Sequence, residues 1–408
     1  MIYRICAPKK LRGSISLPAS KSLSNRLLIV KALCSAEINI SNLSAAEDTK
    51  TLEALLAADS NPLDVGHAGT TMRFLTAYLS TLNKTSVLTG SERMKQRPIG
   101  VLVDALHHLG GDIKYLGEAG YPPLQINGGG IEGSEITIKS NVSSQFISAL
   151  ILIAPTLPNG LTIHLGHNVV SHAYIEMTLK VIRNFGITAI EKADSISIKP
   201  GAYAGGNFAI EADWSSASYW YAMVALSEDE DAEIELTGLH KCSWQGDSTV
   251  ADLFTLLGVK TTYTETGLVL TKMAVHAQEL GFNFINCPDL AQTLAVTTGA
   301  LGIPTRYTGL ETLKVKETDR IDALKSELKK VGVEVEELKV GEMTSFPSTV
   351  APASAPISTF EDHRMAMSFA PLSCILGEMS IENPGVVGKS YPNFWEDLRS
   401  VGFEVKEV

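Results

Sequence analysis

The chain repeats one pattern of hydrophobic and polar positions six times. In each copy, a polar segment rich in Ser, Thr, Asp or Gly precedes a run of small and apolar residues with few charges. The six copies are "ASKSLSNRLLIVKAL", "GHAGTTMRFLTAYLS", "SSQFISALILIAPTL", "ADWSSASYWYAMVAL", "CPDLAQTLAVTTGAL" and "EDHRMAMSFAPLSCIL". Because a helix that is apolar on every side belongs in a core, the pattern predicts six buried helices, each with a polar start.

A second type of segment alternates with the first and is typical of an amphipathic helix. In "TDRIDALKSELKKVG", Ile321, Leu324, Leu328 and Val331 recur at helical spacing, and the glycine that ends most copies predicts a C-cap. Short alternating stretches such as "VKTTYT" and "FEVKEV" predict strands. Two-helix units of about 68 residues therefore predict an α/β protein of repeated units with mixed sheets. The stretch "GEMTSFPSTVAPASAPIST" is predicted to be an irregular surface loop.

The charge balance and the cysteines limit the class of protein. The 408 residues include 34 Lys and Arg against 45 Asp and Glu, a net charge of −11. This acidic balance disfavours nucleic acid and anionic membranes as general partners. The five cysteines are scattered, the N-terminus lacks an apolar signal, and the longest apolar run is too short for a bilayer. We therefore expect a soluble, cytoplasmic protein with reduced thiols.

The starts of the predicted helices carry cations, although the positive end of a helix dipole disfavours them. Helix N-termini bind anions through their unpaired N–H groups, and several cations tolerate one another there when a multiply charged anion lies between them. The sequence therefore predicts a cleft, lined by helix starts, that binds more than one phosphate or carboxylate group. The cations concerned are Lys21, Arg26, Arg73, Arg97, Arg320, Arg364 and Lys389.

Three residues near these cations are candidates for acid–base chemistry, namely Asp289, Glu317 and His363. For either carboxylate, an ordinary role as a helix cap is equally consistent with the sequence. We expect no metal site, because the close pair His164 and His167 has no cysteine or carboxylate set around it.

Eight stretches, in order along the chain, resemble the motif series of the 5-enolpyruvylshikimate-3-phosphate synthase family. They are "PASKSLSNR", "GHAGTTMR", "RMKQRPIG", "SSQFISAL", "SHAYIEMTL", "VKETDR", "EDHRMAM" and "GKSYPNFW". The resemblance implies a two-domain enolpyruvyl transferase fold, an inside-out α/β barrel with three βαβαββ units in each domain. It also implies a discontinuous domain at 1–19 and 214–408, an inserted domain at 20–213, and an active site in the cleft between them.

The resemblance further implies a reaction. The enolpyruvyl group of phosphoenolpyruvate would move to the 5-hydroxyl of shikimate 3-phosphate through a tetrahedral intermediate, with release of phosphate. Asp289 would accept the hydroxyl proton, Glu317 with Lys21 would move the proton of the methylene carbon, and His363 would support the site. We expect no metal or organic cofactor, because fixed cations and backbone dipoles compensate the substrate charge. We also expect a monomer.

The resemblance also implies the binding residues. Those for shikimate 3-phosphate are Lys21, Ser22, Arg26, Ser143, Ser144, Gln145, Ser171, Tyr174, Asp289, Thr312 and Lys316. Those for phosphoenolpyruvate are Lys21, Gly69, Arg97, Gln145, Arg320, Arg364 and Lys389. The chain departs from the family's usual residues at four positions, with Ala19 for Gly, His67 for Asn, Phe74 for Pro and Thr312 for Asn. Because Gly69 leaves room in the phosphoenolpyruvate site, we expect sensitivity to glyphosate.

Two alternatives remain from the sequence. An enolpyruvyl transferase acting on UDP-N-acetylglucosamine would carry a Lys-Asn pair at the first helix start and usually a loop cysteine as acid. Here the pair is Lys21-Ser22, and no cysteine lies near "SERMKQRP". A non-catalytic binder of phosphorylated metabolites would need neither Asp289 nor Glu317 among its cations.

Overall fold

The computed structural model describes residues 1–138, 143–166, 171–346 and 349–408, so His167 lies outside the described residues. The chain divides into two compact units. The discontinuous unit comprises Met1–Ala19 and Glu211–Val408, and the inserted unit comprises Ser20–Ile210. No helix in the described ranges is long and apolar enough to cross a membrane.

The helices follow the two alternating types that the sequence predicts. They are α1 (Lys21–Leu33), α2 (Glu47–Leu56), α3 (Gly69–Ser80), α4 (Gly100–His108), α5 (Ser144–Ile153), α6 (His172–Asn184), α7 (Trp214–Leu226), α8 (Val250–Thr255), α9 (Ala291–Ala300), α10 (Arg320–Lys330), α11 (His363–Phe369), α12 (Ser373–Leu376) and α13 (Phe394–Ser400). The prediction of buried first-type helices is confirmed, since every residue of α7, α9 and α11 is buried.

The strands are short, and they alternate with the helices along the chain. They are β1 (Ile2–Cys6), β2 (Arg12–Ser16), β3 (Ile38–Ser41), β4 (Leu63–Asp64), β5 (Thr85–Thr89), β6 (Asp112–Tyr115), β7 (Leu124–Asn127), β8 (Glu135–Ile138), β9 (Leu161–Leu165), β10 (Ala189–Lys192), β11 (Ser195–Ile198), β12 (Gly206–Ala209), β13 (Glu233–Thr237), β14 (Val259–Tyr263), β15 (Gly267–Lys272), β16 (Leu280–Asn283), β17 (Thr305–Thr308), β18 (Val335–Lys339), β19 (Glu342–Ser345), β20 (Glu378–Glu382) and β21 (Glu404–Glu407).

Four sheets share one topology, in which a parallel pair is extended by two antiparallel strands. In the inserted unit these sheets are β4-β5-β7-β6 and β8-β9-β11-β10. In the discontinuous unit they are β2-β13-β15-β14 and β16-β17-β19-β18. Each unit has a third sheet, β3-β12 in the inserted unit and β20-β1-β21 in the discontinuous unit. The recurring topology confirms the repeated α/β architecture with mixed sheets.

The centre of the discontinuous unit is formed by α7, α9 and α11. One hydroxyl from each helix meets there, because Thr293 Oγ1 lies 3.1 Å from Ser218 Oγ and 3.2 Å from Ser368 Oγ. All three side chains are buried, and a buried hydroxyl needs a hydrogen-bond partner. The three repeats of this unit are therefore joined by a polar contact inside an apolar core.

Capping residues set the starts of the helices that carry the predicted site. The Asp213 carboxylate accepts hydrogen bonds from the N–H groups of Ser215 (2.9 Å) and Ser216 (3.2 Å) at the start of α7. The Asp362 carboxylate likewise accepts from the Arg364 N–H at 2.8 Å at the start of α11. Side-chain oxygens at such positions satisfy N–H groups that the helix leaves unpaired, so each cap fixes where its helix starts. At α11 this places Arg364 in the first turn.

One sequence prediction of secondary structure is wrong in part. The stretch 341–359 was expected to be irregular throughout, but Glu342–Ser345 form β19, which pairs with both β17 and β18. The downstream part is hydrogen-bonded to the C-terminal end of α10, since Ser354 N donates to Lys330 O at 3.0 Å. Pro, Gly and Ser around this strand obscure its alternation of apolar and polar residues. The strand forms because it pairs with β17 and β18 in the folded protein.

Candidate active site

In the inserted unit, α1 brings Lys21 and Arg26 to different partners. The Lys21 ammonium, at the first position of the helix, donates to Asp48 Oδ2 of α2 at 2.9 Å. Both side chains are largely buried, with 15% and 12% of their surface exposed. This ion pair restricts where the ammonium can lie, so Asp48 is a partner of Lys21 that the sequence did not single out.

Arg26 is buried and is surrounded by neutral acceptors. Its Nε donates to Thr178 Oγ1 at 2.7 Å, and its Nη1 donates to the Ser22 carbonyl at 2.8 Å. Its Nη2 donates to Ser148 Oγ and to the Tyr174 carbonyl, both at 3.2 Å. Burial lowers the pKa of Arg26 to about 10, so the guanidinium is still charged at neutral pH. The predicted residues Ser22, Arg26 and Tyr174 are therefore brought together.

Gly69 and Arg97 form a second part of the inserted unit's site. A Cβ added at Gly69, the first residue of α3, would lie 2.7 Å from both Arg97 Nη atoms. Arg97 is buried, and its Nε has no hydrogen-bond partner among the described residues. Arg73 supports this arrangement, because it donates to the Gly69 carbonyl at 3.1 Å and to the Pro98 carbonyl at 3.0 Å. The absence of a side chain at Gly69 thus lets a guanidinium approach the helix start.

The predicted serines lie at the starts of α5 and α6. Ser143 caps α5 by accepting from Gln145 N at 3.4 Å, and Gln145 Nε2 donates to Thr70 Oγ1 at 3.2 Å. Ser144 is the first residue of that helix and is buried. Ser171 has a left-handed backbone with φ +60°, and its side chain does not cap α6. A non-glycine residue in that region is uncommon and is often found at functional sites.

In the discontinuous unit, Asp289 is the centre of a cluster of ion pairs. Its Oδ1 lies 3.1 Å from Arg320 Nη1 and 3.7 Å from Lys316 Nζ, and its Oδ2 lies 2.9 Å from Arg364 Nη2. Burial by itself would raise the pKa of the Asp289 carboxyl, but the three cations hold it well below its usual value. The carboxylate is therefore a weak proton acceptor in this arrangement.

Arg320 links Asp289 to two further carboxylates. Its Nη2 lies 3.0 Å from Glu317 Oε2, and its Nε lies 2.7 Å from Asp362 Oδ2. The arginine and Asp362 are almost fully buried. We call Asp289, Lys316, Glu317, Arg320, Asp362 and Arg364 the Asp289 cluster. Its charges are nearly balanced, which lowers the cost of burying so many ions together.

Arg364 is held by residues of α7. Its Nη1 donates to Tyr219 Oη at 3.3 Å and to the Asp289 carbonyl at 3.2 Å, and its Nη2 donates to Ser215 Oγ at 3.3 Å. Burial raises the pKa of Tyr219 to about 12, so this hydroxyl is neutral and accepts the bond as a dipole.

Lys389 is held by a separate turn. Its ammonium donates to the Glu361 carbonyl at 2.6 Å. Phe360 and Glu361 both have positive φ angles, +51° and +57°, and the Glu361 carboxylate accepts from Asn383 Nδ2 at 2.6 Å. Consecutive non-glycine residues in this region store strain, so the turn that aims Lys389 is kept in place by its surroundings.

Two other predicted residues lie in buried polar surroundings. His363 begins α11, and its Nδ1 lies 3.9 Å from Asp362 Oδ1. The hydroxyl of Thr312 is buried and has no hydrogen-bond partner among the described residues. An unsatisfied buried hydroxyl is costly, which is consistent with a ligand contact at this position.

The sequence missed three carboxylates of these sites: Asp48, Asp362 and Asp247. Asp362 precedes His363 in the "EDHRMAM" motif, and Asp247 lies in a polar helix start, so weak signals were present. Asp247 Oδ1 has no hydrogen-bond partner among the described residues. Burial raises the pKa of the Asp247 carboxyl well above its usual value, and Asp289 adds to the rise. Asp247 is therefore a weaker acid than an ordinary aspartate, and it lies near the Asp289 cluster.

Within the described ranges, no group of three or more His, Cys, Asp or Glu side chains has an arrangement suited to a metal ion. The chemistry that these residues offer is the binding of anions by fixed cations and the transfer of protons by the carboxylates among them.

The chain is similar to known proteins along its whole length. The family model described as EPSP synthase (3-phosphoshikimate 1-carboxyvinyltransferase) matches residues 5–58 and 51–398. A 3-phosphoshikimate 1-carboxyvinyltransferase of Bacteroides fragilis strain YCH46 is 48% identical, and the match covers 100% of this chain and 99% of that protein. A protein of the same name from Sulfurovum sp. strain NBC37-1 is 36% identical, with 96% and 97% covered.

Two solved structures share the fold. An EPSP synthase from Acinetobacter baumannii superposes with a TM-score of 0.79 at 22% identity and covers 100% of both chains. The enolpyruvyl transferase NikO from Streptomyces tendae superposes with a TM-score of 0.75 at 14% identity and covers 100% of this chain and 98% of that one. The predicted two-domain enolpyruvyl transferase fold is thereby confirmed.

Proposed function

The chain belongs to the EPSP synthase family, and from this premise we propose how its residues divide the work of catalysis. The enzyme is a 3-phosphoshikimate 1-carboxyvinyltransferase. It transfers the enolpyruvyl group of phosphoenolpyruvate to the 5-hydroxyl of shikimate 3-phosphate and releases phosphate. The same comparisons do not favour the transferase acting on UDP-N-acetylglucosamine or a non-catalytic binder.

Cations and polar side chains from both units are assigned to the substrate anions. Arg26 with Ser22 binds the shikimate carboxylate, and the support for this role is that all four acceptors around Arg26 are neutral. Arg97 beside Gly69, with Lys21, Gln145 and Lys389, binds the phosphate of phosphoenolpyruvate. The serines and the remaining polar residues, Ser143, Ser144, Ser171, Tyr174, Thr312 and Lys316, bind the rest of shikimate 3-phosphate.

The Asp289 cluster supplies the acid–base chemistry. Arg320 and Arg364 bind the carboxylate of phosphoenolpyruvate. In the structure both arginines contact Asp289. A substrate carboxylate that takes these cations raises the pKa of Asp289, because the charges that suppress it are then shared. Binding of the substrate therefore restores Asp289 as a base at the step that needs one.

The proton transfers then balance. As the 5-hydroxyl oxygen attacks the central carbon of phosphoenolpyruvate, Asp289 takes the hydroxyl proton. Glu317, assisted by Lys21, protonates the methylene carbon and so forms the tetrahedral intermediate. Glu317 next takes a proton back from the new methyl group as the carbon–oxygen bond to phosphate breaks, and the hydroxyl proton held by Asp289 passes to the departing phosphate. His363 is assigned a supporting role beside the cluster, since its Nδ1 lies 3.9 Å from Asp362 Oδ1.

The observation that carries this assignment is the contact of Arg320 and Arg364 with Asp289, the base assigned to the 5-hydroxyl. The direct test measures phosphate release with both substrates and with each omitted in turn. Release that needs both substrates is expected, and it should disappear in Asp289→Asn while shikimate 3-phosphate still binds. No release with both substrates present would contradict the assignment.

We further propose a monomeric enzyme of the cytoplasm without a nucleic-acid partner. The net charge of −11 supports the absence of a nucleic-acid partner, and five cysteines without a disulfide support the cytoplasm. Sedimentation of the purified protein tests the monomer, since a single species of twice the chain mass would contradict it.

A further inference from the structure

Arg26 is a buried cation whose charge is balanced by no carboxylate among its hydrogen-bond acceptors. Thr178 Oγ1, Ser148 Oγ and two backbone carbonyls accept its N–H bonds. These dipoles fix the plane of the guanidinium, yet burying a charge remains costly unless something else compensates it. The structure must therefore stabilise the Arg26 charge by other means.

Two aromatic rings lie against the guanidinium. The Cζ of Arg26 is 5.6 Å from the ring centroid of Phe74 and 5.9 Å from that of Tyr174. The face of an aromatic ring attracts a cation within about 6 Å, most strongly where water is excluded. Phe74 is 1% exposed, so its ring meets this condition. The polar backbone of Tyr174 already serves Arg26, whereas Phe74 contributes its ring alone.

We propose that Phe74 is a positioning residue that holds the Arg26 guanidinium for the carboxylate of shikimate 3-phosphate. The inference rests on the proposed role of Arg26. A carboxylate at the place of Phe74 would neutralise Arg26 and compete with the substrate, but a ring stabilises the charge and leaves it available. Proline, the residue that the resemblance implies as usual here, has no aromatic face, so the device belongs to this chain.

A double-mutant cycle tests the proposal. The affinity for shikimate 3-phosphate is measured by calorimetry for the wild type, Phe74→Leu, Arg26→Ala and the double variant. Phe74→Leu should weaken binding by about 2- to 30-fold, and it should cause no further loss once Arg26 is absent. Such a cycle isolates the energy shared by two side chains. Phe74→Tyr, which keeps the ring, should bind within about twofold of the wild type.

Phe185→Leu is the matched control for lost packing. Phe185 is a buried residue of the same unit, and its ring centroid lies 6.3 Å from that of Phe208. The same substitution there should lower stability without changing the affinity for shikimate 3-phosphate. If Phe74→Leu does not fold, Phe74→Met replaces it, because methionine fills a similar volume without a ring.

Two results would overturn the proposal. One is an unchanged affinity in Phe74→Leu, and the other is an equal loss in the wild-type and Arg26→Ala backgrounds, which would indicate packing alone. A third result has a different meaning. If Arg26→Ala binds shikimate 3-phosphate normally, the proposed role of Arg26 is wrong, and the role of Phe74 is overturned with it.

Discussion

In the discontinuous unit, Arg320 and Arg364 both contact the carboxylate of Asp289, whereas in the inserted unit Arg26 donates only to neutral oxygens and faces two rings. Both regions are buried and cationic, but within the described ranges Arg26 has no carboxylate among its hydrogen-bond acceptors, whereas Arg320 and Arg364 do. Lys21 is the exception in the inserted unit, since it is paired with Asp48.

The difference separates two tasks. Arg26, which is surrounded by dipoles, is charged at neutral pH and suits an anion that only needs to be held. A cation shared with a carboxylate changes that carboxylate's proton affinity whenever a ligand competes for it. Substrate binding can therefore alter protonation in the Asp289 cluster but not around Arg26.

The largest expected effect is the loss of the base. Asp289→Asn keeps the size of the side chain and removes its proton acceptance, so turnover should fall by about 10²- to 10⁴-fold. Steady-state phosphate release measures it, while calorimetry should show that shikimate 3-phosphate still binds. Asp322→Asn, at an exposed carboxylate of α10, is the control and should keep full turnover. Near-normal turnover in Asp289→Asn would show that Asp289 is not the base, and the two regions would then not differ in chemical task.

The next effect separates charged from neutral support of an arginine. Asp362→Asn leaves Arg320 without its 2.7 Å carboxylate partner and should lower the free energy of unfolding by about 3–5 kcal/mol. Thr178→Val removes one neutral acceptor of Arg26 and should lower it by about 1–3 kcal/mol. Urea denaturation of both variants at neutral pH provides the values. Equal losses would mean that the two arginines are supported alike.

A smaller effect is expected at the start of α3. Gly69→Ala places a methyl group 2.7 Å from the Arg97 guanidinium, which must then move. The KM for phosphoenolpyruvate should rise about tenfold, as expected when about 1.4 kcal/mol of binding is lost, and inhibition by glyphosate should weaken. Gly117→Ala is the control, since its nearest neighbour is Pro123 Cδ at 3.6 Å. An unchanged KM and unchanged inhibition would show that Arg97 tolerates the methyl group.

The smallest effect concerns the two carboxyls whose pKa values are shifted in opposite directions. The lowered pKa of Asp289 adds stability above the unfolded value of about 4, and this stability is lost as the pH falls through the folded value. The raised pKa of Asp247 acts in reverse, because its contribution is present in acid and is lost as the pH rises above about 4.

Urea denaturation at about pH 3 and at pH 7 compares these carboxyls, because the Asp289 contribution is lost only below the unfolded value of about 4. Asp289→Asn should lose more stability, relative to the wild type, at pH 7 than at about pH 3. Asp247→Asn should be closer to the wild type, or more stable than it, at pH 7 than at about pH 3. The exposed Asp322→Asn gives the baseline. Shifts of the same sign in both variants would show that the two carboxyls are not in opposite environments.

Local patterns were sufficient to predict the repeated architecture. The apolar runs that became α7 and α9 and the amphipathic stripe that became α10 each depend on neighbouring residues in the chain. β19 was missed because four residues among Gly, Ser and Pro show little alternation, and only the pairing with β17 and β18 defines the strand.

Ion partners were less predictable than helices. The sequence singled out Lys21 and Arg320, but not Asp48 or Asp362, which contact them across 27 and 42 positions. The choice between several nearby carboxylates is made by tertiary packing and not by local spacing. Phe74 was noted only as a departure from the family. Its contact with Arg26 depends on the packing of α1 against α3, which the sequence alone does not show.

The sheet β20-β1-β21 determines when the discontinuous unit can be completed during synthesis. β1 is translated before the inserted unit, whereas its partners β20 and β21 are translated after it. At about 5–20 residues per second, the inserted unit emerges entirely before those partners exist. β1 therefore remains without these two partners while the inserted unit and most of the discontinuous unit are being translated.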